Sequence, residues 1–531
     1  MIGGGAAGLR AAIEARRSNV EVLLVSKTPA GLANCTAYAG GGFQAPFGKF
    51  TPQQHFERTM KGGKFLNNRK LVQVMTCEAA ARLLELREFG VEIETGDGTA
   101  RVKGPFAMNG TGLTLPLLKF ARELGVTVME NVIIASLEKS GESVVGAAGF
   151  NRLKGEVISF SAKSVVLCSG GAGQIYMRTD NPVGTTGEGY AIAYDAGARL
   201  IDMEFVQFFP FGLVEPGCPM FLFNPGIVEA GRLLNVDGKE FLREAGFSPG
   251  RDFVEHRDAL SRMICMEIER GKGDLDAVLL DLSGTKQAAQ GLEMLGEFKE
   301  IKRRWLSKVD LSKKCLHIAP LQHYFMGGID IDVNGGTNVP GLYAAGEVTG
   351  GVDGANRLGG NALTNTIVFG SRAGKAAAEY AKHLERPETN RSCARAIEKD
   401  LEEIRTRSPS PGARPREIRV RLRTAMTRCV GVLRSQEMLE SAYACIQELT
   451  RDLSRTYART PWELGEALEV RAMLAVAEIV TRCAMERKES RGAHYRLDYP
   501  NEDPTWFRNL LVERSGIGMM IQTREVAGAE P

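Results

Sequence analysis

The 531-residue chain lacks the cysteine spacing of a metal or iron–sulfur site. Its 10 cysteines are scattered singly, and no two of them form a Cys-x-x-Cys pair. Single cysteines at irregular spacing are typical of reduced thiols in a cytoplasmic protein. The sequence therefore predicts no metal site and a cytoplasmic location.

Long apolar runs and an excess of one charge are also missing. No run approaches the roughly 18 residues of a transmembrane helix, and no secretory signal is recognisable, so we expect contact with a membrane only through a partner. The 67 Lys and Arg residues nearly balance the 64 Asp and Glu residues, for a net charge of +3. This balance gives no reason to expect nucleic acid as a partner.

Glycine, by contrast, is abundant, and many of the 61 glycines fall in clusters. Clustered glycines indicate loops in which the backbone passes close to another group. The length of the chain predicts roughly two to four domains and a large buried core.

The first glycine cluster lies in a βαβ unit at the start of the chain. Gly3, Gly5 and Gly8 form a G-x-G-x-x-G pattern, an alanine-rich helix follows, and residues 20–25 form the next strand. Such a loop holds a dinucleotide pyrophosphate on the N–H groups of a helix N-terminus. Only two residues precede the loop, where a complete strand is usual, so we expect the intact protein to begin further upstream.

Ser26 and Lys27 follow this strand, where NAD-binding folds place a ribose-binding acid. Two more glycine loops occupy residues 36–43 and 167–173. Because no second complete βαβ fingerprint accompanies them, we do not expect a built-in NAD(P)H site.

The segment 341–370 reads GLYAAGEVTGGVDGANRLGGNALTNTIVFG. It resembles the flavin-binding signature of the succinate dehydrogenase, fumarate reductase and L-aspartate oxidase flavoproteins. Residues 487–500, RKESRGAHYRLDYP, match the ESRGAH motif that ends the C-terminal helical domain of this family. The resemblance spans the chain from Gly3 to about Trp506.

The resemblance implies an α/β fold, with a Rossmann-like FAD-binding domain, an inserted α+β capping domain and a C-terminal helical domain. The implied boundaries are 1–215 and 336–385 for the FAD-binding domain, 216–335 for the capping domain, and 386–531 for the helical domain and tail. An arginine-rich stretch within residues 405–428 is expected to be a solvated helix face, and a docking surface for an acidic partner is the alternative.

The resemblance also implies FAD and the residues that bind it. These residues lie in glycine loops, at helix starts or beside the ribose and flavin positions of the family. They are Gly3, Gly5, Ala6, Ala7, Gly8, Ser26, Lys27, Cys35, Thr36, Gly40, Gly41, Gly42, Ser169, Gly170, Gly171, Glu347, Arg357, Gly360, Asn361, Ala362 and Leu363.

Two of these residues carry further expectations. Cys35 stands where succinate dehydrogenases and many fumarate reductases have a histidine linked covalently to FAD. We therefore expect non-covalent FAD, with a cysteinyl-flavin bond as the alternative. The helix that begins around Ala362 is expected to direct its N-terminal dipole towards the flavin.

Three residues match catalytic positions of the family. Arg357 matches its carboxylate-binding arginine, since a guanidinium binds carboxylate bidentately and keeps its charge. His323 matches the substrate-binding histidine, and a hydrogen-bonded core histidine is the alternative. Arg257 matches the proton-donating arginine, which needs a relay to return its proton, and a surface ion pair with Glu255 or Asp258 is the alternative.

The chain departs from the family where the far end of the substrate would lie. The family sequence Gln-Phe-His-Pro-Thr-Gly reads QFFPFG at residues 207–212, so Phe209 and Phe211 replace a histidine and a threonine. An unpaired carboxylate buried against phenylalanine is strongly unfavourable. We therefore expect a substrate that is less polar at its second end than fumarate or succinate.

The proton relay of the family is also altered. Its Glu and Arg positions fall on Asn224 and Ile227, although Glu229 and Arg232 lie close by and are alternatives. Asp353 replaces a histidine four residues before the expected carboxylate-binding arginine, which changes the charge beside it.

Together these features predict an FAD-dependent catalytic subunit of a succinate dehydrogenase/fumarate reductase-like complex. Its reaction is hydride transfer between flavin N5 and a carboxylate-activated carbon–carbon bond. An L-aspartate oxidase-like enzyme, a more distant adenylylsulfate reductase-like role and a non-catalytic FAD electron-transfer subunit are the alternatives. The predicted partners are a small carboxylic acid and an iron–sulfur or other electron-transfer subunit.

Overall fold

The computed structural model describes residues 1–105, 108–223, 225–248, 250, 253, 256–285, 303–307, 309–385, 387, 391–409, 412–516 and 518–526. They form a parallel α/β layer, an antiparallel sheet with its own core, and a helical C-terminal unit.

The parallel layer underlies the first glycine loop. The strand Leu23–Val25 pairs with Thr127–Met129, and Val165–Leu167 pairs with Leu342–Ala344, both in parallel. Ile2 bridges one strand of each pair, also in parallel, and so joins them into one layer. The second strand of the predicted βαβ unit is therefore present but is shorter than residues 20–25.

The helices Ala6–Arg17 and Asn361–Lys382 pack closely together. A Cβ atom at Gly374 would lie 2.3 Å from Ala11 O, so only glycine permits this approach. The contact joins the first glycine loop to the signature segment. The second helix begins one residue before the predicted start.

Residues 206–325 contribute an antiparallel sheet that we call the cap sheet. Its strands are, in spatial order, Phe221–Leu222, Val206–Leu213, Leu316–Phe325, Val278–Asp281 and Arg232–Leu234. Apolar side chains of this sheet and of the helix Arg257–Glu267 form a separate core. One long strand of the sheet precedes residue 216, and the predicted domain boundaries stay predictions.

The C-terminal unit is mainly helical. Its helices are Ser392–Thr406, Pro415–Cys429, Gln436–Leu453 and Pro461–Glu486. The hairpin Arg508–Ser515 and Gly518–Glu525 then returns to the first domain, where it extends the sheet of Leu200–Ile201 and Gly328–Ile329.

The remaining elements complete the first domain and the cap. The helices are Cys35–Tyr38, Pro52–Gly62, Arg69–Glu85, Thr111–Glu123, Glu188–Asp195, Pro225–Ala230 and Phe241–Glu244, and shorter or irregular turns are Leu86–Phe89, Gly173–Ile175, Ile268–Lys272 and Pro504–Trp506. The strands are Gly42–Gln44, Ile93–Gly96, Thr99–Val102, Val132–Ser140, Ser143–Asn151 and Glu156–Ser161.

The ESRGAH motif joins the C-terminal unit to the first domain. The fully buried Arg487 donates from Nε to Glu204 Oε1 at 2.6 Å and from Nη1 to Glu489 Oε1 at 3.0 Å. The Ala493 N–H donates to Ala355 O at 2.9 Å. The motif therefore supports the loop of the signature segment that carries Arg357.

The arginine-rich stretch is largely ion-paired. Carboxylates lie within 4 Å of the side chains of Arg405, Arg407, Arg414, Arg419 and Arg421. This pairing favours the solvated helix face over a docking surface for an acidic partner.

None of the helices in the described ranges combines the length and the apolar character that a membrane span requires.

Candidate active site

The N-terminus of the helix Ala6–Arg17 has the properties of an anion site. Gly5 caps the helix without a side-chain hydrogen bond, and the first turn contains no acidic residue. A Cβ atom at Gly8 would lie 2.0 Å from Gly3 O, so the tight turn requires glycine. Because the first amides of a helix have no intrahelical acceptor, those of Ala6 and its neighbours are suited to a pyrophosphate.

A second glycine loop meets the start of the helix Asn361–Lys382. Gly360 has a φ of 86°, and a Cβ atom there would lie 2.5 Å from Gln44 N. Gly41 also has a positive φ, of 76°, whereas a Cβ atom at Gly42 would meet nothing within 4 Å. This end of the helix, with Ala362 and Leu363 in its first turn, has no acidic residue to oppose its dipole.

The Asn361 side chain points to a role that the sequence did not indicate. Its Oδ1 lies 2.9 Å from His55 Nε2, and its Nδ2 donates to Thr59 Oγ1 at 3.0 Å. Burial lowers the pKa of His55 to about 4, so this imidazole is neutral at physiological pH. Asn361 thus anchors its helix to the helix Pro52–Gly62.

The loop at residues 169–171 meets Glu347. A Cβ atom at Gly171 would lie 2.2 Å from Glu347 Oε1, and the same oxygen accepts the Phe325 N–H at 3.1 Å. Burial raises the pKa of Glu347 to about 7. Ser169 Oγ is buried and has no hydrogen-bond partner in the described part of the chain, while Gly170 leaves open space above its Cα. A sugar hydroxyl would satisfy both polar groups.

Lys27 already has anionic partners. Its ammonium group pairs with Glu188 and, at 3.2 Å, with Glu469. Ser26 beside it is buried at the end of its strand. These contacts tie the strand to the C-terminal unit, and a role of Lys27 in binding the cofactor stays a prediction.

Cys35 and Thr36 lie beside the first glycine loop. Thr36 Oγ1 accepts the Ala6 N–H at 3.4 Å, and Cys35 Sγ lies 3.4 Å from Thr185 Oγ1. Burial raises the pKa of the Cys35 thiol well above its usual value, and the negative charge of Glu347 adds to this rise. Since the thiolate is the nucleophile, Cys35 is poorly suited to form a cysteinyl-flavin bond.

Arg257 begins the cap helix and approaches the signature segment. A Cβ atom at Gly359 would lie 2.8 Å from Arg257 Nη2, and Arg257 Cζ lies 5.0 Å from the centroid of the Phe209 ring. Burial and the positive charge of Arg357 lower the pKa of Arg257 to about 9. No carboxylate of the described residues, including Asp258, lies within 4 Å of its guanidinium, and Glu255 lies outside those residues.

His323 lies on the strand Leu316–Phe325 and faces the same group of residues. Its Nδ1 lies 2.9 Å from Asp180 Oδ2, and its ring centroid is 5.7 Å from that of Phe209. Burial lowers the pKa of His323, and the charges of Arg357 and Arg257 lower it further, although Asp180 opposes them. The unbound imidazole is therefore neutral near pH 7, and Nδ1 carries its proton because the carboxylate can only accept.

Arg357 is held by groups from two other strands. Its Nη2 donates to Gln207 Oε1 at 2.9 Å, and Gln207 Nε2 donates back to Arg357 O at 2.8 Å. Its Cζ lies 4.4 Å from the centroid of the Tyr324 ring. Arg357 Nε is buried without a hydrogen-bond partner among the described residues. This geometry orients the guanidinium and leaves donor capacity for a carboxylate.

Phe209 and Phe211 occupy different surroundings. Phe209 contacts both His323 and Arg257, so it lies at the edge of the candidate site. Phe211 is fully buried and packs against Phe253, with ring centroids 5.0 Å apart. Phe209 alone is therefore placed to contact a substrate, and Phe211 belongs to the core of the cap.

The positions of the family's proton relay contain no counterpart of it in the described structure. Ile227 is buried in the cap core, while Asn224 lies outside the described residues. Arg232 is exposed and pairs with Asp281 at 2.5 Å, and Glu229 Oε1 accepts the Gly250 N–H at 2.9 Å. Both alternatives are thus committed to contacts within the cap.

The residues present fit FAD in three respects. The first helix offers unpaired amides, the glycine loops leave open space, and Ser169 Oγ and Arg357 Nε are buried without partners among the described residues. Sequence reasoning missed Asp180 and Tyr324, because neither lies in a recognisable motif. The role of Gln207 was missed as well, although the motif QFFPFG begins with this residue.

Comparisons with known proteins agree with this geometry. Two family models match the chain: an FAD binding domain over residues 1–363, and the fumarate reductase flavoprotein C-term over residues 419–529. A subunit of the fumarate reductase (CoM/CoB) of Methanothermobacter marburgensis is 38% identical over 541 residues, which cover 97% of this chain and 96% of the relative. The chain belongs to the fumarate reductase and succinate dehydrogenase flavoprotein family.

Other members of this flavoprotein family match over almost the whole chain. An L-aspartate oxidase of Yersinia pestis is 32% identical over 536 residues, which cover 94% of this chain and 96% of the relative. The structure of Mycobacterium smegmatis Sdh1 in complex with UQ1 aligns with a TM-score of 0.87 at 32% identity, covering 99% of this chain and 93% of that chain.

Family membership confirms the predicted fold class, cofactor and reaction class. The protein is an FAD-dependent catalytic subunit that acts on CH–CH groups, and its fold is an α/β FAD-binding domain with a helical C-terminal domain. Its relatives are flavoprotein subunits, which is consistent with an electron-transfer partner.

We expect the flavin to be released completely when the protein is denatured in acid, because Cys35 is a neutral, buried thiol. The measurement is flavin absorbance in the supernatant and flavin fluorescence of the denatured chain on a gel. The variant Cys35→Ser should have the same flavin content and the same release. Flavin that stays with the wild-type chain but not with the Cys35→Ser variant would contradict this expectation.

We expect carboxylate binding to weaken as pH rises, because an anion beside His323 raises the lowered pKa of its imidazole and draws in a proton. The advantage is complete below the pKa of the unbound imidazole and is lost as pH rises through the pKa of the bound one. The dissociation constant of malonate, followed by flavin absorbance between about pH 5 and 8, measures this dependence.

The variant His323→Gln should remove most of the pH dependence of malonate binding. The matched control is His317→Gln, since His317 pairs with Glu215 and Asp274 in the cap and should leave the dependence unchanged. An unchanged pH profile in His323→Gln would show that another group binds the proton.

Proposed function

We propose that this protein interconverts an α,β-unsaturated acid and its saturated counterpart, and that the substrate has one carboxylate end and one apolar end. The observation that carries the proposal is Phe209, whose ring lies against both His323 and Arg257. An aromatic ring offers no hydrogen bond to a second carboxylate.

Arg357 and His323 are proposed to bind the single carboxylate. Gln207 and Tyr324 support this role, since they fix the guanidinium before a substrate arrives. Preorganised donors lose little entropy on binding, so they favour a planar carboxylate in one orientation. A protonated His323 would add a second charge-assisted hydrogen bond.

FAD, when bound, supplies the hydride acceptor and donor at flavin N5. In the reducing direction one carbon of the double bond gains the hydride, and Arg257 donates the proton to the adjacent carbon. The lowered pKa of Arg257, about 9, brings its acidity closer to neutral pH. Its side chain keeps partial contact with solvent, so water is the proposed source of the returning proton.

An iron–sulfur or other electron-transfer subunit is the proposed redox partner. Within the described residues, no group of three or more His, Cys, Asp or Glu side chains has a metal-binding arrangement. The Methanothermobacter relative is named as one subunit of its enzyme, which supports a protein that works with further subunits. The ten free cysteines support a cytoplasmic location, with membrane contact only through a partner.

Fumarate itself is the second candidate substrate, because the relative that is 38% identical is named a fumarate reductase. An L-aspartate oxidase activity is the third, supported by a 32% identical relative. Peroxide formation with aspartate as substrate tests the third candidate directly.

We expect the purified protein to reduce crotonate with a higher kcat/KM than fumarate, with reduced viologen as the electron donor. The variant Phe209→His should shift this ratio towards fumarate by about 10-fold or more, because the imidazole gives the second carboxylate a partner. The measurement is kcat/KM for both acids in both proteins.

The matched control for this substitution is Phe211→Leu. It alters the same strand within the cap core, so it should leave the ratio of the two kcat/KM values unchanged. A wild-type protein that prefers fumarate to crotonate would overturn the proposed substrate class and favour the second candidate.

A further inference from the structure

We propose that Asp258 is a positioning residue that docks the cap helix on the signature segment and thereby places Arg257 against its substrate. The inference rests on the proposed role of Arg257 as proton donor. It assigns a task to the residue next to Arg257, for which the described structure shows no contact with the guanidinium of Arg257.

One face of the helix Arg257–Glu267 makes the contacts that dock it. Asp258 Oδ1 accepts from Asn356 Nδ2 at 3.4 Å, and Ser261 Oγ donates to Phe208 O at 3.1 Å. Arg262 Nη2 lies 3.7 Å from Asp258 Oδ2. Residues 258, 261 and 262 share a helix face by their spacing of three and four.

The same face reaches the C-terminal unit. Arg262 Cζ lies 5.0 Å from the centroid of the Tyr495 ring, which follows the ESRGAH motif directly. A cleft of about 250 Å³ runs along this contact and is lined by residues of all three units, among them Gln207, Asp258, Asn356 and Gly492. Asp258 is thus a charged group at the junction of cap, first domain and C-terminal unit.

A continuous hydrogen-bond chain leads from Asp258 to the carboxylate-binding arginine. Asn356 donates to Asp258, Gln207 Nε2 donates to Asn356 Oδ1 at 2.8 Å, and Arg357 Nη2 donates to Gln207 Oε1 at 2.9 Å. Each amide uses its N–H on one side and its oxygen on the other, so all donors and acceptors in the chain match. The docking of the cap helix and the orientation of Arg357 therefore depend on the same set of bonds.

Arg257 lies on a different side of the helix from Asp258, because consecutive residues differ by about 100° around the axis. Its guanidinium extends towards Phe209 and the backbone at Gly359. The cap has its own hydrophobic core, so it can keep its fold while its position changes. Asp258 fixes that position in the first turn of the helix, where a small shift moves Arg257 directly.

The test uses charge reversal and rescue in the full-length holoprotein. Asn356→Asp places two carboxylates together and should lower kcat for crotonate reduction by about 100-fold, with little change in the dissociation constant of malonate. Adding Asp258→Asn restores a donor and an acceptor, now reversed, and the double variant should recover to within about 5-fold of wild type. Asp258→Ala removes the carboxylate without repulsion and should resemble the single Asn356→Asp variant.

Hydrogen–deuterium exchange of residues 257–267 gives a second readout that needs no turnover. Exchange should rise in Asn356→Asp and Asp258→Ala and return to the wild-type level in the double variant. The matched control is Asp237→Asn, an exposed cap carboxylate paired with Lys272 at 2.8 Å, which should change neither readout.

The two readouts separate failure of this inference from failure of the proposed function. A double variant whose helix exchanges as fast as that of Asn356→Asp, or a wild-type exchange level in Asp258→Ala, would overturn the role of Asp258. A wild-type protein that reduces neither crotonate nor fumarate would overturn the proposed function, and the exchange results would still decide the role of Asp258.

Discussion

Two arginine side chains share one site without a carboxylate partner, and the rest of the active-site structure depends on this arrangement. Among the described residues, no carboxylate lies within 4 Å of the guanidinium group of Arg257 or Arg357, and the charge of Arg357 lowers the pKa of Arg257. Like charges held together are unfavourable until an anion joins them. A substrate carboxylate relieves this repulsion, and the same repulsion makes Arg257 a stronger acid.

The surrounding structure holds these charges in place from three directions. Gln207 and Tyr324 fix Arg357 from the strands Val206–Leu213 and Leu316–Phe325, which continue into the cap. Arg257 comes from the cap helix, and the ESRGAH motif of the C-terminal unit supports the Arg357 loop through Ala355. Close approach at glycines such as Gly359 leaves room for the guanidinium of Arg257 beside the backbone.

Much of this could be predicted from the sequence, because glycine loops and long motifs encode close backbone approaches. The fold class, FAD and the reaction class were predicted correctly, and Arg257, His323 and Arg357 do lie together. The partners of these residues could not be predicted, since Asp180 and Tyr324 reach the site only through tertiary folding. The strand Val206–Leu213 also contains register irregularities, so the sequence did not reveal that Phe211 enters the cap core while Phe209 reaches the site.

The most direct test of the account is reoxidation of the chemically reduced holoprotein by an unsaturated acid in a single turnover, with Arg257→Ala beside the wild type. The account predicts that crotonate reoxidises the wild-type flavin, that it leaves the flavin of Arg257→Ala reduced, and that ferricyanide reoxidises both proteins at similar rates. Reoxidation of Arg257→Ala by crotonate at the wild-type rate would show that Arg257 does not supply the proton, and would contradict the account.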